Sequence, residues 1–203
     1  PCQNKMSPTN SDLTLVLAST SRYRRELLER LKLPFEIVSP EVDETPHSGE
    51  APAIAAGRLA LAKAQAASVR FPRSLIIGSD QVAFCDGVWM DKPGDHDAAV
   101  RQLRHASGKA ISFMTAIALV NTASGRTQTE LVPTEVRFRK ISDQEIERYL
   151  NTEPAYDCAG SAKAEGLGIS LIESIRSADP TALIGLPLIA LSEMLRNENV
   201  SVP

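Results

Sequence analysis

Apolar residues along this chain fall into short runs that alternate with stretches of helical spacing. Short runs that contain β-branched and aromatic residues predict strands, at 13–18, 35–38, 74–84, 111–120, 131–139 and 166–173. Apolar residues that recur every three or four positions predict helices, at 22–33, 51–68, 95–107, 142–150 and 187–196. An early strand–helix unit followed by a later antiparallel hairpin predicts an α/β fold, with a central mixed β-sheet flanked by helices.

Local signals predict where several of these elements begin and end. Pro34 is expected to end the first helix, and Asp95 is expected to cap the third. Ser142 and Glu145 have the spacing of a capping box, which predicts the start of a helix. Gly78 is expected to interrupt the strand at 74–84, where a glycine would permit a ligand to approach closely.

Composition narrows the class of protein. With 203 residues, 43% of them apolar, the chain can form a substantial core, and we expect a single domain over 13–203 after a flexible lead-in at 1–12. A net charge of −3 gives no indication of nucleic-acid binding. No apolar run approaches the roughly 20 residues that cross a bilayer. The first 11 residues lack the apolar core of a signal peptide, so a cytoplasmic location is expected.

Cysteine and histidine offer no candidate chemistry. Cys2, Cys85 and Cys158 are scattered along the chain, so they predict neither a disulfide framework nor a metal-binding motif. The three histidines show no ligand spacing.

A Ser/Thr loop at 19–21 connects the first strand to the first helix. The free N–H groups at a helix start, together with the Ser19 hydroxyl and the Arg24 guanidinium, can bind a phosphate. The alternative is that Ser21 only caps the helix and the arginines are solvated.

Lys63 lies on a helix face whose neighbours at i±3 and i±4 are apolar. A lysine there is costly unless its ammonium reaches water or meets an anion. Both outcomes remain open from the sequence.

The segment Gly78–Ser79–Asp80–Gln81 follows three apolar residues. The Asp80 carboxylate can hold a metal ion or act as a general base, or it can be satisfied by backbone N–H groups in a turn. Lys92, in a loop before a helix, can reach a phosphate, and Glu44, in an acidic loop, can ligate a metal. Both are equally consistent with ordinary exposed charges.

Taken together and in this order, these segments resemble the Maf family of nucleoside triphosphate pyrophosphatases. The resemblance extends from about residue 13 to residue 196. The matching segments are 17–28, 42–44, 60–64, 77–81, 92–93 and 159–166. The resemblance implies the fold of the inosine triphosphatases, with two lobes around a deep cleft.

The resemblance also implies an activity: cleavage of a nucleoside triphosphate to a monophosphate and pyrophosphate, with Mg²⁺ or Mn²⁺, and often by a homodimer. The family's general base corresponds to Asp80, which with Glu44 is also expected to hold the metal. The substrate-binding residues of the family correspond to Ser19, Arg24, Lys63 and Lys92. Such side chains suit the reaction, because a carboxylate can activate water while cations neutralise charge on the triphosphate.

Three positions resemble the branch of the family that acts on 7-methyl-GTP: Tyr23, Gln81 and Glu165. The branch acting on dTTP and UTP usually has Arg, Thr and Gln there, whereas the 7-methyl-GTP branch more often has Trp at the Tyr23 position. N7-methylation makes guanine cationic, so the base stacks well on an aromatic ring and its N–H donors suit a carboxylate. We therefore expect Tyr23 and Glu165 to read the base and Gln81 to add an amide contact. The alternatives are ordinary packing for Tyr23 and solvation for Glu165.

Two other functions remain open: a dTTP/UTP pyrophosphatase of the same family, and a nucleotide-binding regulator of cell division with little turnover. The candidate base Asp80 favours an enzyme, because binding alone needs no general base.

Overall fold

The computed structural model describes residues 13–203. The predicted lead-in at 1–12, with Cys2, lies outside the described residues. The strands of the described part are β1 (Thr14–Ala18), β2 (Glu36–Val38), β3 (Ser74–Cys85), β4 (Val88–Trp89), β5 (Ala110–Asn121), β6 (Thr127–Phe138) and β7 (Ile172–Ser177). The α-helices are α1 (Arg22–Glu29), α2 (Pro52–Ser68), α3 (His96–Ala106), α4 (Asp143–Thr152) and α5 (Leu188–Asn197).

These strands form one mixed sheet, as predicted. The order is β2-β1-β3-β5-β6-β7, and the short β4 pairs with the end of β3. β1 runs parallel to β2 and to β3, whereas the β3–β5, β5–β6 and β6–β7 pairs are antiparallel. The early strand–helix unit supplies the parallel part of the sheet, and the later hairpin supplies the antiparallel part.

Three separate hydrophobic clusters give the molecule its two lobes. In the first lobe, α1 and α5 cover one face of the sheet and α2 covers the other. In the second lobe, α3 and α4 pack on the far halves of the long strands. β3, β5 and β6 are twelve residues each and extend through both lobes. The cleft expected from the family resemblance lies where the lobes meet.

The alternating side chains of β3 connect the two faces of the sheet at this point. Gly78 and Asp80 face α2, while Ser79 and Gln81 face the opposite side, because neighbouring residues of a strand point in opposite directions. The segment Gly78–Gln81 therefore contacts both faces of the sheet.

The prediction that Gly78 interrupts β3 is wrong, because the strand is continuous from Ser74 to Cys85. Gly78 is required for another reason. A Cβ atom at this position would lie 2.1 Å from the backbone O of Ala60 and 2.7 Å from the backbone N of Ala64. The close approach that this glycine permits is that of helix α2 and not of a ligand.

Three predicted element bounds are also wrong. β6 begins at Thr127 rather than at residue 131, because its pairing with β5 extends to Val120 and Thr127. α1 ends at Glu29 rather than at residue 33, because the chain leaves the helix through three-residue turns to Lys32 at φ 56°. Pro34 lies beyond this turn and does not end the helix. The last strand begins at Ile172 rather than at residue 166, because Leu167–Leu171 forms a 3-10 turn packed against the Lys163 backbone.

The predicted caps are correct. Asp95 Oδ1 accepts a hydrogen bond from the N–H of Ala98 at the start of α3. Ser142 and Glu145 form both bonds of a capping box at the start of α4. No helix within 13–203 combines the length and apolar character that a membrane crossing requires.

Candidate active site

A cleft of about 780 Å³ lies between the two lobes. Every side chain predicted for the site lines it: Ser19, Tyr23, Arg24, Glu44, Lys63, Asp80, Gln81, Lys92 and Glu165. These residues come from both lobes, so the tertiary fold brings together positions that are far apart in the sequence.

The deepest charges in the cleft form a buried ion pair. Lys63 Nζ, on α2, lies 2.6 Å from Asp80 Oδ1, on β3. The Lys63 and Asp80 side chains are only 7% and 10% exposed. Glu44 Oε1 lies 2.8 Å from the same Nζ but belongs to a side chain that is 62% exposed. Lys63 therefore meets anions rather than reaching water, and Asp80 is not a turn aspartate satisfied by backbone N–H groups.

The Ser19 loop and Arg24 form one unit at the start of α1. Ser21 caps the helix by accepting from the Arg24 N–H at 3.5 Å. The Arg24 guanidinium turns into the cleft, where Nε donates to the Gly185 carbonyl at 2.9 Å and Nη1 donates to Ser19 Oγ at 3.3 Å. Burial lowers the pKa of Arg24, while the Asp80 and Glu44 carboxylates act in the opposite direction. Arg25, by contrast, is solvated and pairs with Glu29.

Lys92 lies at the rim of the cleft. Its side chain is exposed and makes no hydrogen bond or ion pair within the described range 13–203. Its ammonium is thus available to an anionic group that enters the cleft.

Tyr23 is surrounded by charges at the other end of the cleft. Its hydroxyl donates to Asp157 Oδ2 at 3.0 Å, and Asp157 Oδ1 pairs with Lys163 Nζ at 3.1 Å. Partial burial raises the pKa of Asp157, but the hydrogen bonds from Lys163 and Tyr23 outweigh it, and the pKa is lowered overall. The Arg22 guanidinium carbon lies 4.8 Å from the centre of the Tyr23 ring. The ring therefore already contacts a cation.

Glu165 lies beside Tyr23, where the cleft adjoins a smaller pocket of about 230 Å³ that both residues also line. The Glu165 side chain is exposed, and no hydrogen bond or ion pair forms to it from the described residues. Its carboxylate is positioned to accept hydrogen bonds from a ligand.

Gln81 is engaged differently from what the sequence predicts. Its Nε2 lies 2.9 Å from Thr115 Oγ1, 3.0 Å from the Ala182 carbonyl and 3.1 Å from the Leu183 carbonyl. The two amide hydrogens are thus used within the protein. Oε1 has no partner among residues 13–203.

The cleft is also lined by residues that were not predicted from the sequence, among them Trp89, Asp157 and Leu183. Trp89 is the only tryptophan in the chain, and it lies in β4, where it pairs with Phe84 of β3. A lone aromatic residue shortly before Lys92 was a signal that could have identified it. Asp157 and Leu183 carry no comparable local signal.

The carboxylates of the cleft fit a hard divalent cation. Glu44 and Asp80 converge on one ammonium group, and each retains a second oxygen with no partner in the described part of the chain. Oxygen donors of this kind suit Mg²⁺ and Mn²⁺. Cys85, Asp86 and His105 also lie close together, but they are not among the residues that line the cleft.

One of the two cysteines in the described part of the chain lines this cleft. Cys85 and Cys158 are free. Burial raises the pKa of Cys158, which lines the cleft, to about 12. Because the thiolate is the reactive form, this cysteine is inert at neutral pH.

Comparison with known proteins places the chain in one family. Residues 14–198 match the Maf-like protein family. A 7-methyl-GTP pyrophosphatase of Thiobacillus denitrificans is 55% identical over 194 residues, which cover 96% of each chain. A protein of the same name from Polaromonas is 54% identical, over 97% of this chain and 89% of its own. A third, from Burkholderia thailandensis, is 57% identical, over 90% and 86%. The family predicted from the sequence is thereby confirmed: this chain belongs to the Maf family.

Proposed function

We propose that this protein hydrolyses 7-methyl-GTP to 7-methyl-GMP and pyrophosphate with the help of a divalent metal ion. The observation that carries the proposal is the buried Lys63–Asp80 pair, which lies in a cleft with Arg24 and Lys92. A carboxylate held among cations suits attack by water on a polyphosphate. The choice of 7-methylguanine as the nucleobase rests on the relatives, which are named 7-methyl-GTP pyrophosphatases.

Asp80 is proposed as the general base. It takes a proton from a water molecule whose oxygen attacks the α-phosphorus. The new bond joins that oxygen to phosphorus, and the bond from the α-phosphorus to the bridging oxygen breaks, so pyrophosphate leaves with the electron pair. Lys63 holds Asp80 Oδ1 at 2.6 Å and thereby fixes the direction of the second carboxylate oxygen.

The cations of the cleft are proposed to bind the triphosphate. Arg24 is fixed by Ser19 and by the Gly185 carbonyl, so its guanidinium is ordered before a substrate arrives. Lys92 contributes an exposed positive charge from the rim of the cleft. Fixed donors aimed at developing negative charge stabilise a transition state without further reorganisation.

Glu44 and Asp80 are proposed to hold the metal ion, which is Mg²⁺ or Mn²⁺. When bound, the ion supplies positive charge to the phosphate oxygens. The exposed Glu44 side chain can move toward an ion more easily than the buried Asp80.

Tyr23 and Glu165 are proposed to read the methylated base. The carboxylate of Glu165 accepts from the N–H donors of guanine, and the Tyr23 ring stacks on the cationic base. The Arg22 guanidinium at 4.8 Å from the ring centre occupies the environment that a cationic base would take. Arg22 is exposed and can move aside.

We also infer that the protein acts in the cytoplasm as a homodimer. The family resemblance supports the homodimer. Light scattering of the purified protein tests the oligomeric state, and a mass corresponding to one chain would contradict the homodimer.

The experiment that tests the function is a substrate panel. Pyrophosphate release is measured with 7-methyl-GTP, GTP, dTTP and UTP, each with Mg²⁺, with Mn²⁺ and with a chelator. We expect 7-methyl-GTP to have the highest kcat/KM and the chelator to abolish turnover. A preference for dTTP and UTP would show the other branch activity, and nucleotide binding without pyrophosphate release would favour a regulatory protein.

A further inference from the structure

One wall of the cleft is a short segment, residues 182–185, that is held by side chains from other elements. It consists of the 3-10 turn Ala182–Ile184 and Gly185. Ala182 is fully buried, whereas Leu183, Ile184 and Gly185 line the cleft. Ile184 also lines the smaller pocket beside Tyr23. The position of this segment therefore affects the shape of the region proposed for the base.

The first half of the 182–185 segment is held through its carbonyl groups. Gln81 Nε2 donates to the carbonyls of Ala182 and Leu183. Thr115 Oγ1, on β5, donates to the Ala182 carbonyl at 3.0 Å and accepts from Gln81 at 2.9 Å. A buried carbonyl without a partner is costly, so these side chains determine where the turn lies.

The second half of the segment is held from the phosphate side of the cleft. The Gly185 carbonyl accepts from Arg24 Nε at 2.9 Å and from Ser79 Oγ at 3.0 Å. Gly185 has φ 116°, a conformation that residues with a Cβ rarely adopt. The same short segment thus contacts Arg24, which is proposed to bind the triphosphate, and Gln81, which is one of the positions that differ between branches of the family.

A single buried carboxylate connects the residues on either side of the segment. Asp179 is 2% exposed. Its Oδ1 accepts from the N–H and the hydroxyl of Thr181 at 2.9 and 2.7 Å, and its Oδ2 accepts from the N–H of Ile189 at 2.7 Å. Asp179 thus fixes both ends of the segment. Substituting a side chain that holds residues 182–185 should therefore change the local shape of the cleft wall without releasing the whole loop.

We propose that Gln81 and Thr115 are positioning residues. They select the base by holding the 182–185 segment, and not by touching the base themselves. This inference rests on the proposed function and explains how one of its specificity residues acts. Thr115 provides the test, because it is fully buried and does not line the cleft. Any influence of its hydroxyl on base selection must pass through its neighbours.

The experiment measures kcat/KM for 7-methyl-GTP, GTP, dTTP and UTP with full-length variants. Thr115→Val removes the hydroxyl at similar volume, and Thr115→Ser, which retains it, is the matched control. Gln81→Met removes the amide at similar length. Each Thr115 substitution is made both in the wild-type protein and in Gln81→Met. Thermal unfolding checks that the variants are folded, and Thr115→Ala gives a second comparison if valine does not fit.

We expect Thr115→Val to change the ratio of kcat/KM between nucleotides by about 2- to 10-fold, as loss of one hydrogen bond to the segment would. The change should occur in both backgrounds, because Thr115 holds the Ala182 carbonyl independently of Gln81. Thr115→Ser should keep the ratios. The proposal is overturned if Thr115→Val leaves the kcat/KM ratios unchanged in Gln81→Met. The Thr115 hydroxyl would then have no influence through the segment alone, and Gln81 would act by direct contact with the base.

The result is distinguishable from failure of the proposed function. A wild-type protein that prefers a nucleotide other than 7-methyl-GTP contradicts that function. The effect of Thr115→Val is measured as a change in the kcat/KM ratios relative to the wild type, whichever nucleotide the wild type prefers.

Discussion

Lys63 Nζ and Asp80 Oδ1 lie 2.6 Å apart in the cleft, and both side chains are almost entirely buried. Two charges are tolerated there because each neutralises the other, and because Glu44 adds a second anion near the ammonium from the exposed side. Breaking a buried pair by removing one partner leaves an uncompensated charge.

Lys63→Met should therefore destabilise the protein, by about 3–5 kcal/mol if the site behaves as a fully buried pair. Urea denaturation at pH 7 measures this change. The double variant Lys63→Met/Asp80→Leu should recover most of the stability, because both charges are then absent and the space is filled by apolar groups. A double variant as unstable as Lys63→Met would show that the buried charge of Asp80 is not the cause.

Asp80→Asn should abolish turnover while the protein stays folded. The amide keeps the shape of the side chain and can still accept a hydrogen bond from Lys63, but it cannot take a proton from water. General bases contribute about 10²- to 10⁴-fold to rates, so pyrophosphate release should fall by at least that factor. Circular dichroism provides the control for folding. Near-normal activity of this variant would remove Asp80 as the base.

Gly78→Ala should destabilise the contact between β3 and α2. A Cβ atom would lie 2.1 Å from the Ala60 carbonyl oxygen, which is backbone and can give way only if the helix moves. Overpacking typically costs about 1–3 kcal/mol, and thermal unfolding measures it. Gly57→Ala on α2 is the matched control, since a Cβ there meets nothing within 4 Å. That change should stabilise the helix by about 0.5–1 kcal/mol.

The features that could be predicted from the sequence depend on residues close together in the chain. The Asp95 cap and the Ser142–Glu145 capping box each involve positions three apart, so their chemistry is visible in a short window. Gly78 had a visible signal but the wrong explanation. What contacts it is α2, and the approach of a helix to a strand is a tertiary event.

The same argument separates two residues of the motif. Lys63 and Asp80 each had a local signal, a charge beside apolar residues, but that signal left their partners open, and their roles in the site came from the resemblance to the Maf family. Gln81, in contrast, bonds to carbonyls about a hundred positions away. Backbone carbonyls are present in every residue, so no side-chain pattern could indicate which of them Gln81 would meet.

Glu50 should make the stability of the acidic loop depend on pH. Arg58 Nε and Nη2 each donate to Glu50 at 2.7 Å, and this pairing, with a hydrogen bond from the His47 backbone, lowers the pKa of Glu50 from 4.5 to about 2. A depressed pKa stabilises the fold above pH 4.5, and the contribution is lost as the pH falls toward 2. Arg58 Nη2 also donates to the Thr45 carbonyl, beside Glu44.

The corresponding measurement is the thermal unfolding midpoint of the wild type and of Glu50→Gln between pH 7 and pH 3. The variant should unfold at a lower temperature at pH 7. The difference should shrink below pH 4.5, because the unfolded wild-type chain then binds a proton at Glu50 that the folded protein does not. A difference that does not change with pH would mean that the Glu50 charge contributes nothing.

Glu165→Gln should reduce the preference for the methylated base without affecting stability. The side chain is exposed and makes no hydrogen bond or ion pair within 13–203, so replacing its charge breaks no such bond in the protein. Hydrogen bonds to a charged group are worth about 1.5–3 kcal/mol, which corresponds to a loss of roughly tenfold or more in the ratio of kcat/KM for 7-methyl-GTP to that for GTP. Glu26→Gln removes an equal charge from the rim of the adjoining pocket and should keep the ratio. Equal losses in both variants would indicate a general electrostatic effect, and no loss in Glu165→Gln would remove this residue from base recognition.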